Sequence, residues 1–96
     1  MKHLISEAKD VADSFAALIK SINERSVFSK KLNELILIGI FTSDKAHRNL
    51  QIHVKKALEN GATKDEIISA ILLALPVTGI NRVSEALSIA MEMVEV

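Results

Sequence analysis

Apolar residues recur at steps of three and four along most of this chain, and that spacing places side chains on one face of an α-helix. The first run predicts a helix from about residue 4 to residue 24, with a stripe formed by Leu4, Ala8, Val11, Phe15, Leu18 and Ile22. Later segments of the chain show the same spacing of apolar residues at steps of three and four. We therefore predict an all-α protein of five helices without a sheet.

The second helix is predicted from about residue 30 to 42, after Ser29, whose hydroxyl can accept a hydrogen bond from a free backbone N–H of the first turn. The run 35–41 (LILIGIF) is apolar on every face, which is typical of a helix surrounded by other elements. A strand is the alternative, given the isoleucine content. We favour a helix because the neighbouring segments are helical and because Gly39 lets another backbone approach closely.

The third helix is predicted from about residue 44 to 60, where Asn60 and Gly61 form a typical helix stop. Thr63 and Glu66 follow at the spacing of a capping box, in which each side chain accepts a hydrogen bond from the other residue's backbone N–H. A fourth helix therefore begins there.

The fourth helix is expected to stop around Pro76, and the turn 76–79 (PVTG) leads into a last helix over residues 80–94. The sequence contains no internal repeat or interdomain linker. We therefore predict one domain over residues 1–96.

Composition adds a prediction of self-association. A chain of 96 residues buries only roughly 60–65% of its unfolded surface, yet 49% of these residues are hydrophobic and the mean hydropathy is +0.27. Exposed apolar patches usually mark interfaces. We therefore expect a homo-oligomer. Because no apolar run approaches the ~20 residues that cross a bilayer, we expect no membrane partner and a cytoplasmic location.

Charge is balanced overall but uneven along the chain. Residues 29–56 carry six Lys/Arg and two acids, whereas residues 57–96 carry two Lys/Arg and six acids. The middle of the chain is thus the better candidate for facing a small anionic molecule. A nucleic-acid binder would normally show a basic excess with aromatic base-readers, and this chain has three Phe and no Tyr or Trp. We expect no nucleic-acid partner.

The chain contains no cysteine, which excludes disulfides, thiolate nucleophiles and thiolate metal ligands. The three histidines, His3, His47 and His53, have no HxxxH or HExxH spacing. We therefore predict neither a metal site nor a cofactor.

Two ionisable groups lie on faces of consecutive helices that are otherwise apolar. His53 shares its face of the third helix with Ala46, Leu50, Val54 and Ala57. Glu34 precedes the apolar residues of the second helix at helical spacing, namely Leu37, Ile38 and Phe41. A buried carboxylate needs a partner, and a carboxylate that accepts from imidazole fixes the tautomer and raises the basicity of the ring.

Two interpretations of this pair stay open. A Glu and a His can transfer protons near neutral pH as general acid and base. They can equally form a satisfied core hydrogen bond that fixes helix register. Spacing alone does not decide between them.

Cations that could hold a substrate carboxylate are Lys45, Arg48, Lys55, Lys56 and Arg82. Arginine offers a two-pronged hydrogen-bonding fork, although such charges often form only a solvated face. Arg82 lies at the start of the last helix, where a cation opposes the helix dipole. It therefore calls for another explanation.

The segments 32–36 (LNELI) and 50–67 (LQIHVKKALENGATKDEI) resemble the carboxymuconolactone decarboxylase family, which includes alkylhydroperoxidase D. The most specific piece is His53 followed eight residues later by Gly61 and then by Ala-Thr and a Glu-Ile pair. The resemblance covers residues 28–90 and implies an alkylhydroperoxidase D-like helical fold that assembles as trimers or hexamers.

In the peroxidase branch of that family the chemistry belongs to a CxxCxxxH motif. Placing its histidine on His53 puts the two cysteine positions at Ala46 and Asn49. Neither residue can form a thiolate. The resemblance therefore argues against thiol peroxidase activity.

The resemblance to the decarboxylase branch implies a lyase-like enzyme that decarboxylates or isomerises a small carboxylated lactone by proton transfer. It implies His53 as proton donor, Glu34 as the group that orients it, and Arg48 or Arg82 as holders of carboxylate or enolate oxygens. The chain departs from the family around its glycine turn, with Val77 and Asn81 where Tyr and Pro are frequent. A non-catalytic helical oligomer for binding or scaffolding is the alternative. An enzyme needs a water-accessible cleft that reaches His53, whereas a scaffold does not.

Overall fold

The computed structural model of the chain describes residues 2–95, and over that range it is α-helical without a β-strand. Seven helices follow one another: α1 (Lys2–Glu7), α2 (Lys9–Arg25), α3 (Lys30–Ser43), α4 (His47–Glu59), α5 (Lys64–Leu72), α6 (Leu75–Thr78) and α7 (Ile80–Val94). The predicted all-α class is confirmed. The five predicted helices become seven because the first and the fourth are each divided in two.

The first predicted helix is interrupted at Ala8, whose backbone leaves the helical region (φ −146°, ψ 64°). Hydrogen bonds still run through the break, since the Ala8 N–H donates to the Leu4 carbonyl at 2.8 Å and its carbonyl accepts from Ala12 at 3.0 Å. Alanine is the best helix former, so the residue type carries no signal of this break.

Helix α3 begins where the sequence predicts, with the Ser29 hydroxyl accepting from the Leu32 N–H at 3.0 Å. Its inner side packs against α4, α5 and α7. The expectation that it is surrounded on all faces is wrong for a single copy of the chain, because three of its residues stay 41–54% exposed: Leu32, Ile36 and Ile40. Over residues 2–95, this face of α3 is therefore only partly covered by other helices.

Helix α4 begins at His47 rather than at the predicted residue 44. Lys45 adopts a positive φ of 59° and Ala46 a non-helical conformation (φ −90°, ψ 76°), so the chain turns before it can enter the helix. The predicted stop after residue 60 is confirmed, since Gly61 has a φ of 88° that favours glycine.

The capping box at the start of α5 is confirmed, with Thr63 and Glu66 each accepting from the other's backbone N–H. The prediction for Pro76 is wrong in its location, because Pro76 lies in the first turn of α6 rather than after the end of a longer helix. Proline fits there because first-turn N–H groups have no partner within the helix.

The hydrophobic core lies between α3, α4, α5 and α7. Its largest fully buried side chains are Ile38, Leu50, Val54, Ile67, Ile71 and Val83. A Cβ at Gly39 would lie 3.3 Å from the Ala70 carbonyl oxygen, which confirms the predicted close approach of another backbone to this glycine. The core thus fixes the relative positions of the helices that carry Glu34 and His53.

Helix α2 lies largely outside this core. Ala12 is its one buried residue within the described range, whereas four residues of its apolar stripe are 47–55% exposed: Val11, Phe15, Leu18 and Ile22. Among residues 2–95, no helix is both long and apolar enough to span a bilayer.

Candidate functional site

Glu34 and His53 meet across the contact between α3 and α4. The Nδ1 of His53 donates a hydrogen bond to Oε2 of Glu34, and each side chain keeps only 17% of its surface exposed. This bond brings together the two residues that the apolar stripes single out. A neutral imidazole carries its proton on one nitrogen at a time. With that proton on Nδ1, Nε2 is left to accept a hydrogen bond from a second partner.

Phe41 holds the imidazole from a second direction. Its ring stacks on that of His53 with centroids 5.0 Å apart and an interplanar angle of 17°. Phe41 lies seven residues after Glu34 on α3, so both groups come from one helix face. The hydrogen bond and the stacked ring together fix the position and orientation of the imidazole.

Glu34 also lines an open cleft of about 500 Å³. The walls come from the second half of α2, the start of α3 and the end of α4, and the lining residues are Ala16, Ile19, Lys20, Asn23, Glu24, Lys30, Asn33, Glu34 and Asn60. We call this space the α2–α3 cleft. Glu34 therefore has a route to solvent through this cleft, whereas His53 is not among the residues that line it.

Two amides of the α2–α3 cleft have defined orientations. Asn33 accepts from the Ser26 hydroxyl at 2.7 Å through its oxygen, which leaves its NH₂ group as a donor. Asn60 donates its NH₂ to the Lys56 carbonyl at 2.8 Å, which leaves its oxygen as an acceptor. The cleft therefore presents both kinds of hydrogen-bonding group beside its charged residues.

The cations of the α2–α3 cleft, Lys20 and Lys30, were not among the sequence-based candidates. Lys30 lies four residues before Glu34, and that spacing alone indicates a shared helix face. Lys20 carried no comparable signal, because its place in the cleft depends on how α2 lies against α3.

The structure places the two predicted substrate-binding arginines elsewhere. Arg82 donates to the carbonyl of Ser43, the last residue of α3, and lines a different cleft together with Lys45 and Glu85. This contact explains a cation in the first turn of α7. Arg48 is exposed on α4. Neither arginine lines the α2–α3 cleft, and their substrate-binding role stays a prediction.

The remaining histidines take no part in the pair. His47 lies 3.1 Å from Glu85 across the contact between α4 and α7, and His3 is exposed on α1. No group of three or more His, Asp or Glu side chains with the geometry of a metal site occurs within residues 2–95.

The sequence model of the carboxymuconolactone decarboxylase family matches residues 9–92. The chain belongs to this family. The match begins at Lys9, the first residue of α2, so the carboxymuconolactone decarboxylase domain includes the helix that forms one wall of the cleft. A comparison with curated protein sequences gave no match.

Proposed function

We propose that this carboxymuconolactone decarboxylase family member removes CO₂ from a small carboxylated lactone, with proton transfer at Glu34 and His53. The observation that carries the proposal is the hydrogen-bonded, mostly buried pair whose carboxylate opens into the α2–α3 cleft. A carboxylate hydrogen-bonded to an imidazole at the edge of a cleft is a typical arrangement for general acid–base chemistry.

Decarboxylation of the lactone needs a proton donor positioned over the lactone ring. The bond between the ring carbon and the departing carboxylate breaks, CO₂ leaves, and the electron pair enters a dienolate conjugated with the lactone carbonyl. A proton from Nε2 of the His53 imidazolium then adds to a carbon of that dienolate. The Glu34 carboxylate keeps the Nδ1–H bond throughout and stabilises the imidazolium before the transfer.

The alternative is a non-catalytic helical oligomer whose role is binding or scaffolding. It would need only a satisfied hydrogen bond between Glu34 and His53, without access to solvent. The α2–α3 cleft reaches Glu34, the partner of His53, and this access supports the enzyme proposal through the carboxylate alone. Thiol-based peroxidase activity is not proposed, because the chain has no cysteine and carries Ala46 and Asn49 at the two positions implied by the resemblance.

We also propose that the protein assembles with copies of itself, as a trimer or hexamer of the kind the resemblance implies. Within residues 2–95, seventeen large hydrophobic residues are 37–92% exposed in one copy. Extensive exposed apolar surface usually marks an interface. A second copy of the chain is the occupant we propose for this surface. The cytoplasmic location stays a prediction.

The enzyme proposal is tested by incubating the protein with a carboxymuconolactone. Turnover is measured as CO₂ release, and the product is identified by NMR. We expect Glu34→Gln and His53→Ala each to lower kcat by about 10²-fold or more. Phe41→Leu is the matched control in the same contact, and we expect a smaller loss because it changes only the support of the ring. Absence of turnover by the wild-type protein would favour the binding or scaffolding oligomer.

A further inference from the structure

Lys30 occupies a position that helix stability does not explain. Lys30 and Lys31 are the first two residues of α3, where cations oppose the helix dipole and where the first turn carries no acid. Lys31 is compensated by Glu66, whose carboxylate lies 3.0 Å from its ammonium. Lys30 has no ion pair among the described residues and lines the α2–α3 cleft.

Lys20 gives this cleft a second cation. Its ammonium lies 3.9 Å from the Glu24 carboxylate, and both side chains are mostly exposed (77% and 67%). An exposed pair at this distance contributes little, so Lys20 can exchange it for another anion. The cleft also contains two carboxylates, Glu24 and Glu34, so its four charged side chains balance. Glu34 accepts from the His53 ring and Glu24 lies beside Lys20, which leaves Lys30 as the cation without a partner among the described residues.

We infer that the α2–α3 cleft is the substrate subsite, and that Lys30, assisted by Lys20, binds the carboxylate that a dicarboxylated lactone retains after losing CO₂. This inference rests on the proposed function and names residues different from the predicted arginines, Arg48 and Arg82. The donor NH₂ of Asn33 and the acceptor oxygen of Asn60 are available for the neutral oxygens of such a ligand. Ile19 and Ala16 supply an apolar wall for the ring carbons.

A carboxylate fixed at Lys30 lies one turn from Glu34 on α3, and both residues line the cleft from which the other carboxylate leaves as CO₂. Lys30 is thus a binding residue for the retained group. The proton transfer stays with His53.

The experiment is an NMR titration of the ¹⁵N-labelled protein with succinate, a non-reacting dicarboxylate, with the uncharged succinamide as comparison. We expect succinate to shift the amide signals around residues 20, 30–34 and 60, and succinamide to have little effect. Lys30→Gln should weaken succinate binding about tenfold. Lys30→Arg, which keeps the charge, should stay close to wild type and shows that the site still folds.

The matched control is Lys9→Gln, which removes an exposed lysine of α2 that lies outside the cleft. We expect it to leave succinate affinity close to that of the wild type. The inference is overturned if succinate does not bind, if its shifts cluster around Lys45 and Arg82, or if Lys30→Gln binds as the wild type does.

Failure of this inference can be told apart from failure of the proposed function. If a carboxymuconolactone is turned over but Lys30→Gln leaves KM unchanged, the subsite assignment is wrong and the enzyme proposal stands. If Lys30-dependent succinate binding occurs without any turnover, the subsite assignment stands and the decarboxylase proposal is wrong.

Discussion

The imidazole of His53 is held by two groups from α3, a carboxylate at its Nδ1 edge and an aromatic ring on its face. This arrangement gives the ring one orientation in which Nδ1 is the donor to Glu34. The neutral ring must then carry its proton on Nδ1, which leaves Nε2 as the unprotonated nitrogen.

We therefore predict that the neutral form of His53 is the Nδ1–H tautomer, measured from the ¹⁵N chemical shifts of the two ring nitrogens. Glu34→Ala removes the acceptor and should move the population toward Nε2–H. Phe41→Leu is the control, since it should keep the Nδ1–H tautomer while the ring-current shift of the His53 protons disappears. A wild-type ring already in the Nε2–H form would contradict the proposed hydrogen bond.

How much of the site was predictable differs from residue to residue. Glu34 and His53 could be selected from the sequence because a polar residue on an apolar stripe is a local pattern. The contact of Arg82 with the Ser43 carbonyl joins residues 39 positions apart, and no pattern in the sequence indicates it. Lys20 was missed for the same reason, because its role depends on the packing of α2.

At the level of helices, the start of α5 depends on a titratable cap. The backbone N–H of Thr63, which donates to the Glu66 carboxylate at 2.9 Å, lowers the pKa of Glu66 below its usual value, and the nearby Lys31 ammonium adds to this effect. Since the folded-state pKa lies below the unfolded one, the ionised carboxylate stabilises the fold fully above the unfolded value. This stabilisation is lost as the pH falls through the folded value.

We predict that Glu66→Gln lowers the urea midpoint at neutral pH, and that the difference from wild type shrinks as the solution is acidified through the carboxylate range. Ser29→Ala, at the cap of α3, is the control, because its hydroxyl accepts from the Leu32 N–H. It should cost about 1 kcal/mol at every pH, because a hydroxyl does not titrate there. An equal effect of pH on both variants would contradict the assignment to the Glu66 carboxylate.

The contact between α3 and α5 depends on a glycine, Gly39, which has no side chain. Gly39 faces the Ala70 carbonyl so closely that a Cβ would lie 3.3 Å from that oxygen, tighter than ordinary van der Waals contact. We predict that Gly39→Val destabilises the protein by about 1–3 kcal/mol, measured by urea denaturation. Gly39→Ala should cost less, because its better helix propensity offsets part of the contact. A Val variant as stable as wild type would show that the two helices can separate freely.

Helix boundaries were predictable where a side chain or a glycine marks them, as at Ser29, Gly61 and Thr63. They were missed where the backbone changes direction without such a signal. Ala8 divides α1 from α2, and Lys45 takes a positive φ before α4 although lysine has no preference for that conformation. Packing of the whole chain, rather than local propensity, determines those two positions.

On the scale of the whole molecule, two apolar surfaces lie apart from the core. One is the exposed stripe of α2. The other is a groove of about 440 Å³ between α3 and α5, lined by Leu32, Leu35, Ile36, Gly39, Asp65, Glu66, Ser69, Ala70 and Leu73. The composition predicts that apolar surface stays exposed. It does not predict where, because the apolar stripe of α2 has the spacing of a helix that packs against the core, and only the structure shows that this stripe is exposed.

We expect the exposed apolar stripe of α2 to determine how many copies of the chain assemble. We predict that the wild-type chain sediments as a trimer or hexamer, and that Phe15→Glu shifts it toward smaller species because a charge at the centre of an apolar contact is costly to bury. Ala17→Glu adds the same charge to the same helix, at an exposed position away from the stripe, and should leave the assembly intact. Helical circular dichroism of each variant separates loss of assembly from loss of folding. If both variants keep the assembly mass of the wild type, the α2 stripe is not the contact between copies. The partly exposed face of α3 formed by Leu32, Ile36 and Ile40 is then the next surface to substitute. If the wild type is itself monomeric at high concentration, the apolar surface needs a partner other than a second copy.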